Sequence, residues 1–205
     1  MIEFRNLRKE FVLHGQRKLV IDNLNLRVPS KTSVALLGRN GAGKSTLLKM
    51  IAGTMDATSG EILSSGTISW PVGFAGSFHP DLTGSQNAKF VARIYGVDTD
   101  AMADFVADFT ELGPSFHMPL RSYSSGMRAR LSFGVSMGIP FDTYLVDEVT
   151  SVGDAAFKRK SGALFDDRMR DAGSFVVSHS MPQIRELCDV GIVLEQGRAV
   201  YYDDL

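Results

Sequence analysis

Four stretches of this chain are apolar without polar alternation: "SVALLG" (33–38), "TYLVDE" (143–148), "SFVVSH" (174–179) and "VGIVLEQG" (190–197). Runs of this kind suit strands buried on both faces of a parallel sheet. Helical stretches separate them, beginning with "KSTLLKMIAG" after the first. Such alternation predicts an α/β fold. Near the N-terminus the texture is different. "IEFRNL", "LVID" and "LNLRV" read as short strands with turn residues between them, and "EIL" and "TISW" are strand-like. They predict an antiparallel β element over about 1–30 and 60–72. From Leu82 the pattern turns helical: "TGSQNAKFVARIYG", "DTDAMADFVADFTELG", then "YSSGMRARLSFG" (123–134). This predicts a helical lobe over about 80–138, inserted into an α/β core made by the remaining residues.

Composition narrows the class. The chain has 205 residues, which fits one domain or a domain with a small lobe. Hydrophobic content of 44% supports a sizeable core, and a net charge of −1 argues against a basic nucleic-acid surface. The single cysteine, Cys188, excludes an internal disulfide and reads as a small core residue. "LSFGVSMGIPF" falls short of the ~20 residues that span a bilayer. Membrane work would need a partner.

"GRNGAGKST", Gly38 to Thr46, satisfies G-x-x-x-x-G-K-[ST] and lies between an apolar strand and a helix. Gly41 and Gly43 let the backbone curl so that successive N–H groups face phosphates, with Arg39, Asn40 and Ala42 completing the loop. Lys44 places a cation between β- and γ-phosphates, and Ser45 offers a hydroxyl to Mg²⁺. "YLVDE" ends a strand in two acids: Asp147 suits Mg²⁺, and Glu148 suits orientation of an attacking water. His179 ends "VVSH" and falls on the same sheet edge. A second anion site is predicted at "YSSGM". Ser124 and Ser125 can cap a helix there, and Gly126 permits close approach. Two phosphate sites in one small chain need a reason.

These pieces in this order resemble the ATP-binding subunit of an ABC transporter, over nearly the whole chain. The resemblance implies a P-loop NTPase (RecA-like) core with an N-terminal antiparallel β element and an inserted helical lobe. It implies that "YSSGM" is the signature, that "SVGD" up to Asp154 is the D-loop, that His179 is the switch histidine and that Phe11 stacks on adenine. It also answers the question of the two sites. In that family two subunits pack head to tail, so each signature helix would cap the γ-phosphate of ATP held by the other, in a two-fold homodimer. ATP and Mg²⁺ are the implied cofactors. A separate integral-membrane permease is the implied partner, at the cytoplasmic face of the inner membrane.

"ISWP", "GFAGSFHPDLTG", "YSSGMRARLSFG" and "YLVDEVTSVGDAAFKRK" are similar to the capsular polysaccharide exporters of Gram-negative bacteria. O-antigen and teichoic acid exporters are the alternative, and the stop at "YYDDL" favours the capsular type. The family's Q-loop glutamine is missing near "FAGSF", where Gly76 and Ser77 stand, and Gln86 reads as part of the next helix. Phe78, Pro80 and Leu82 are expected beside the permease groove, and Arg121, Arg128 and Arg130 on a solvated helix face. A GTPase would carry N-K-x-D, and none occurs. A coiled coil of the DNA-repair type has no room between the loop and "YSSGM".

Overall fold

The computed structural model describes all residues but 14, 75, 77 and 148–153. The chain forms two compact units. The first contains Met1–Pro71, the strand segment beginning at Phe141, and Met169–Leu205. Its main sheet holds β3 (Ser33–Leu37), β5 (Ile68–Pro71), β6 (Thr143–Asp147), β7 (Gly173–Val177), β8 (Val190–Glu195) and β9 (Arg198–Tyr202), in the order β5-β6-β7-β3-β8-β9. All neighbours are parallel except the β8/β9 pair. Every residue of β7 is buried, and β3 is buried except for Leu37 at its end. This is the burial expected of central parallel strands.

A second sheet, β2-β1-β4, joins β1 (Ile2–Leu13), β2 (Gln16–Val28) and β4 (Ser59–Ser64), all antiparallel. The separate N-terminal strands expected from the pattern are two long ones. Asparagines explain the apparent breaks. Asn6 and Asn23 take positive φ (47° and 51°), which a short polar side chain tolerates, and the β1/β2 register shifts nearby. The Asn6 N–H, lost to the ladder, donates to Asn25 Oδ1 at 2.8 Å. One face of this sheet packs on the main sheet. Phe4 meets Phe175 edge-on at 6.3 Å, within a core that also takes in Leu7, Ile21, Leu36, Leu145 and Ile192. Full burial of one such side chain is worth roughly 1.5–3 kcal/mol.

The segment 60–72 does not stay together as expected. β4 joins the antiparallel sheet, whereas β5 pairs in parallel with β6. Asp142 is the clasp: its carboxylate accepts from the Thr67 N–H and hydroxyl, both at 2.8 Å, which holds it below the usual carboxylate range. Further along, the Leu145 N–H donates to Ser69 Oγ at 2.9 Å.

The second unit is helical, built from Val72–Pro140 and the helix segment ending at Arg168. It contains α2 (Gly84–Ile94), α3 (Thr99–Thr110), α4 (Ser125–Gly138) and most of α5 (Ala155–Met169), with two short 3₁₀ turns at Gly113–His117 and Leu120–Ser122. α5, expected with the core, groups here because Phe157 packs on Phe109 at 5.3 Å and Lys160 bridges Glu111 at 2.7 Å. Gln86 lies at the third position of α2 and closes a capping box with Thr83. Asn87, fully buried, bonds the carbonyls of His79, Leu82 and Thr83 and accepts from the His79 N–H. It ties the 79–83 loop to α2. No described helix is long and apolar enough to cross a membrane.

Candidate nucleotide site

β3 delivers the chain to the glycine loop, and α1 (Lys44–Ile51) leaves it. Three glycines hold positive φ: Gly38 at 142°, Gly41 at 80° and Gly43 at 110°. Each is required for a different reason. A Cβ at Gly38 would overlap the Leu194 carbonyl of β8, and one at Gly43 would overlap the Val20 γ-methyl of β2. A Cβ at Gly41 would meet nothing within 4 Å among the described residues, so backbone conformation is what demands glycine there.

The helix entry is built for an anion. The caps of α2, α3, α4 and α6 (Met181–Leu187) accept N–H groups through Thr83, Asp98, Ser124 and Ser180. α1 has no side-chain cap and no acid in its first turn. Its first N–H groups and its dipole are left uncompensated. Lys44 is only 9% exposed and donates to the carbonyls of Gly38 (2.7 Å) and Arg39 (3.3 Å), with no carboxylate within salt-bridge distance among the described residues. A nearly buried ammonium held by carbonyls alone favours an anion beside it.

These groups open on a cavity of about 420 Å³, lined by Asn40, Gly41, Gly43, Lys44, Ser45, Thr46, Phe11 and His179. Lys18, Val20 and Val177 complete the lining, and the sequence reading singled out none of them. An unbroken glycine motif gives no sign of which distant strand walls it. Gly38, Arg39 and Ala42 instead border an adjoining hollow of about 480 Å³ beside β8 and Gln196–Gly197. The Phe11 ring also carries the Lys9 ammonium, 5.0 Å from its centroid. Asp147 closes β6 in register with Val177, so the carboxylate stands at the strand ends from which the loop departs. Glu148 lies outside the described residues, as does "SVG" before Asp154.

The second expected anion site is an exposed helix start. Ser124 Oγ accepts from the Met127 N–H at 3.2 Å and caps α4, with Ser125 and Gly126 exposed in its first turn. Tyr123, just before it, is buried and donates to the Ser115 carbonyl at 2.6 Å. Gly126 has no positive φ, and among the described residues a Cβ there would meet only Ser124 Oγ at 3.9 Å.

Two further expectations change. The Asp154 carboxylate is engaged within its own unit. It accepts from the N–H groups of Ala156 and Phe157, both at 3.0 Å, and pairs with Arg130 at 2.7 Å. The Phe157 N–H and then that of Ala156, reinforced by Arg130, hold it below the usual carboxylate range. Arg130 therefore leaves the solvated face: its side chain is 21% exposed and its guanidinium stacks 4.5 Å from the Phe157 ring. Arg121 pairs with Asp81 at 2.8 Å, with both side chains exposed. Burial, with Asp189 beside it, pushes the Cys188 thiol up to about 12, so it is not a reactive group.

A glycine loop at the carboxyl edge of a parallel sheet, an uncapped helix behind it and a buried lysine define a phosphate-loop nucleotide-binding protein. The chain belongs to the ABC transporter family, whose model matches residues 21–151. Its relatives include the polysialic acid transport ATP-binding protein KpsT of Escherichia coli, 49% identical over 100% of this chain and 93% of that one. BexA, an ATP-binding protein of Haemophilus influenzae, is 40% identical over 100% and 94%. The O-antigen export system ATP-binding protein RfbB of Klebsiella pneumoniae is 36% identical over 91% and 78%. In fold, the chain is similar to the ATP-binding cassette MJ0796, described as a dimer bound to ADP and Pi after hydrolysis. That likeness has a TM-score of 0.80 at 19% identity, over 99% and 98% of the two chains.

Proposed function

We propose that this chain is the ATP-hydrolysing subunit that powers export of a capsular polysaccharide through a separate membrane permease, at the cytoplasmic face of the inner membrane. The observation that carries the nucleotide reading is the uncapped, acid-free start of α1 facing one cavity with Lys44, Ser45, Phe11 and His179. The substrate class is supported by the relatives. Those named for polysialic acid or capsule transport are 38–49% identical over the whole chain, against 34–37% for the O-antigen group.

In this reading the loop N–H groups and Lys44 hold the β- and γ-phosphates, and Phe11 stacks on the adenine. Ser45 and Asp147 supply hard oxygen ligands for Mg²⁺. No group of three or more His, Cys, Asp or Glu able to hold a metal occurs among the described residues, and Mg²⁺ commonly takes one or two protein oxygens plus substrate phosphates. When bound, Mg²⁺ neutralises charge on the phosphates. Glu148 orients the water, and His179 stabilises the transferred phosphoryl group, a reaction that rests on positioning and electrostatics.

Two copies would form the working unit, with Ser124–Gly126 of each directed to the γ-phosphate held by the other. Gly126 supports this. Neither its backbone nor any neighbour among the described residues of its own chain requires a glycine, which inside a helix costs roughly 0.5–1 kcal/mol relative to alanine. Room left on an exposed helix start fits a group arriving from outside. The Q-loop function has no glutamine in this chain, and Asn87, binding the 79–83 loop to α2, is the element we assign to stiffen the permease-facing segment around Phe78, Pro80 and Leu82.

The test is nucleotide trapping in defined heterodimers. One pairing joins Lys44→Ala in one subunit with Ser124→Arg in the other; the second puts both changes in one subunit beside wild type. Sites formed in trans leave one intact site only in the first pairing, which should trap more. The reverse order would remove the shared-site arrangement. For transport, the wild-type gene should restore surface polysaccharide in a host lacking its own exporter ATPase, and Lys44→Ala should not.

A further inference from the structure

Lys18 is the direct cross-strand partner of Phe11 in the β1/β2 ladder, and both side chains line the cavity that holds Lys44 and Ser45. The neighbouring cations of β1 and β2 are engaged. Arg8 holds Glu10 and Asp22, Arg17 holds Glu10, and Lys9 donates to the Asp56 carbonyl at 2.7 Å. Lys18 is exposed and has no hydrogen-bonding or ionic partner among the described residues. A cation with no ionic partner among the described residues, at the wall of a phosphate cavity, is available to a ligand.

Its position along β2 says which part of the ligand. Val20 abuts Gly43 of the loop, and Lys18, two residues back along β2, lines the same cavity. Phe11 stands across from Lys18. The order along this wall is phosphate loop, Val20, Lys18, aromatic ring. A nucleotide with its β- and γ-phosphates in the loop and its base on Phe11 must run its α-phosphate and ribose between the two.

We propose that Lys18 binds the α-phosphate of the nucleotide, a contact outside the phosphate loop. The inference rests on the nucleotide reading above. The flexible four-carbon stem brings the ammonium to the anion as a point charge, and its exposure in the free protein keeps the desolvation cost low. Because ATP and ADP share the α-phosphate, the contact strengthens both alike. It therefore retains the product as well as the substrate.

Calorimetry on wild type, Lys18→Met and Lys18→Arg tests this with three probes: Mg²⁺-bound β,γ-imido ATP, Mg²⁺-bound ADP, and pyrophosphate. Lys18→Met should weaken both nucleotides by a similar factor, about 2–5-fold, as for an exposed ion pair. Pyrophosphate binding should not change, and Lys18→Arg should recover most of the loss. Unchanged nucleotide affinity in Lys18→Met overturns the proposal. A loss confined to the ATP analogue, or shared by pyrophosphate, also overturns it by moving the ammonium to the loop's own phosphates. Failure of well-folded wild type to bind either nucleotide would instead remove the nucleotide reading, so the two failures are distinct. Melting temperature should be the same in all three proteins, because an exposed strand side chain carries little packing.

Discussion

Gly43 and Val20 meet at the floor of the cavity, where the space that a Cβ would occupy at Gly43 is filled by the Val20 γ-methyl. The contact joins the antiparallel sheet to the phosphate loop and makes β2 a wall of the site. Gly43→Ala should therefore act twice, through the clash and through backbone strain at φ 110°, the latter costing roughly 1–2 kcal/mol. Nucleotide affinity and melting temperature should both fall. Adding Val20→Ala should recover part of the melting temperature. Gly38→Ala has no such remedy, because its obstacle is the Leu194 backbone carbonyl. Thermal melts of the four proteins check this, and a Gly43→Ala protein as stable as wild type would refute it.

Glu148 follows Asp147 at the end of β6. Glu148→Gln should keep ATP binding and lose turnover by at least ~100-fold, the scale of general-base loss. The retained ATP should also favour dimers in size-exclusion chromatography. Near-normal phosphate release from this variant would take the water-orienting role away from Glu148.

Phe11 is half-buried, packs against the core and lines the cavity. Phe11→Ala should weaken nucleotide binding by roughly 1 kcal/mol if its ring stacks on the base. A lowered melting temperature with unchanged ATP affinity would mark it as a packing residue instead.

The Asp154 carboxylate is held low by the Phe157 and Ala156 N–H groups and Arg130. A depressed folded-state value means that its stabilisation is present above the unfolded value, near pH 4, and is lost as pH falls through the folded one. Asp154→Asn keeps a capping side chain but removes the charge. The variant should melt below wild type at neutral pH, and the gap should close in acid below pH 4. A gap independent of pH would mean that the Asp154 charge contributes nothing to stability.

Much of this protein was legible before any coordinates. The parallel strands are buried on both faces, so they appear as apolar runs. The glycine loop, Lys44, Ser45 and the Ser124 cap depend on contiguous residues, and their local chemistry is complete within a few positions. Gln86 likewise reads as part of a helix from its neighbours, and it stands at the third position of α2.

What only the tertiary structure decided depends on residues far apart in the chain. Asp142 captures Thr67 and carries β5 into the main sheet, though "TISW" is as strand-like as "EIL" beside it. Asparagines that look like turns became bulges because a neighbouring strand and Asn25 took up the displaced bonds. Asp154 and Arg130 engage each other across 24 residues, and Lys18 became a wall of the site through its register with Phe11. Local pattern records whether a residue is buried and how the nearby backbone turns. Pairing of distant groups is set by sheet register and packing, which no short stretch of sequence contains.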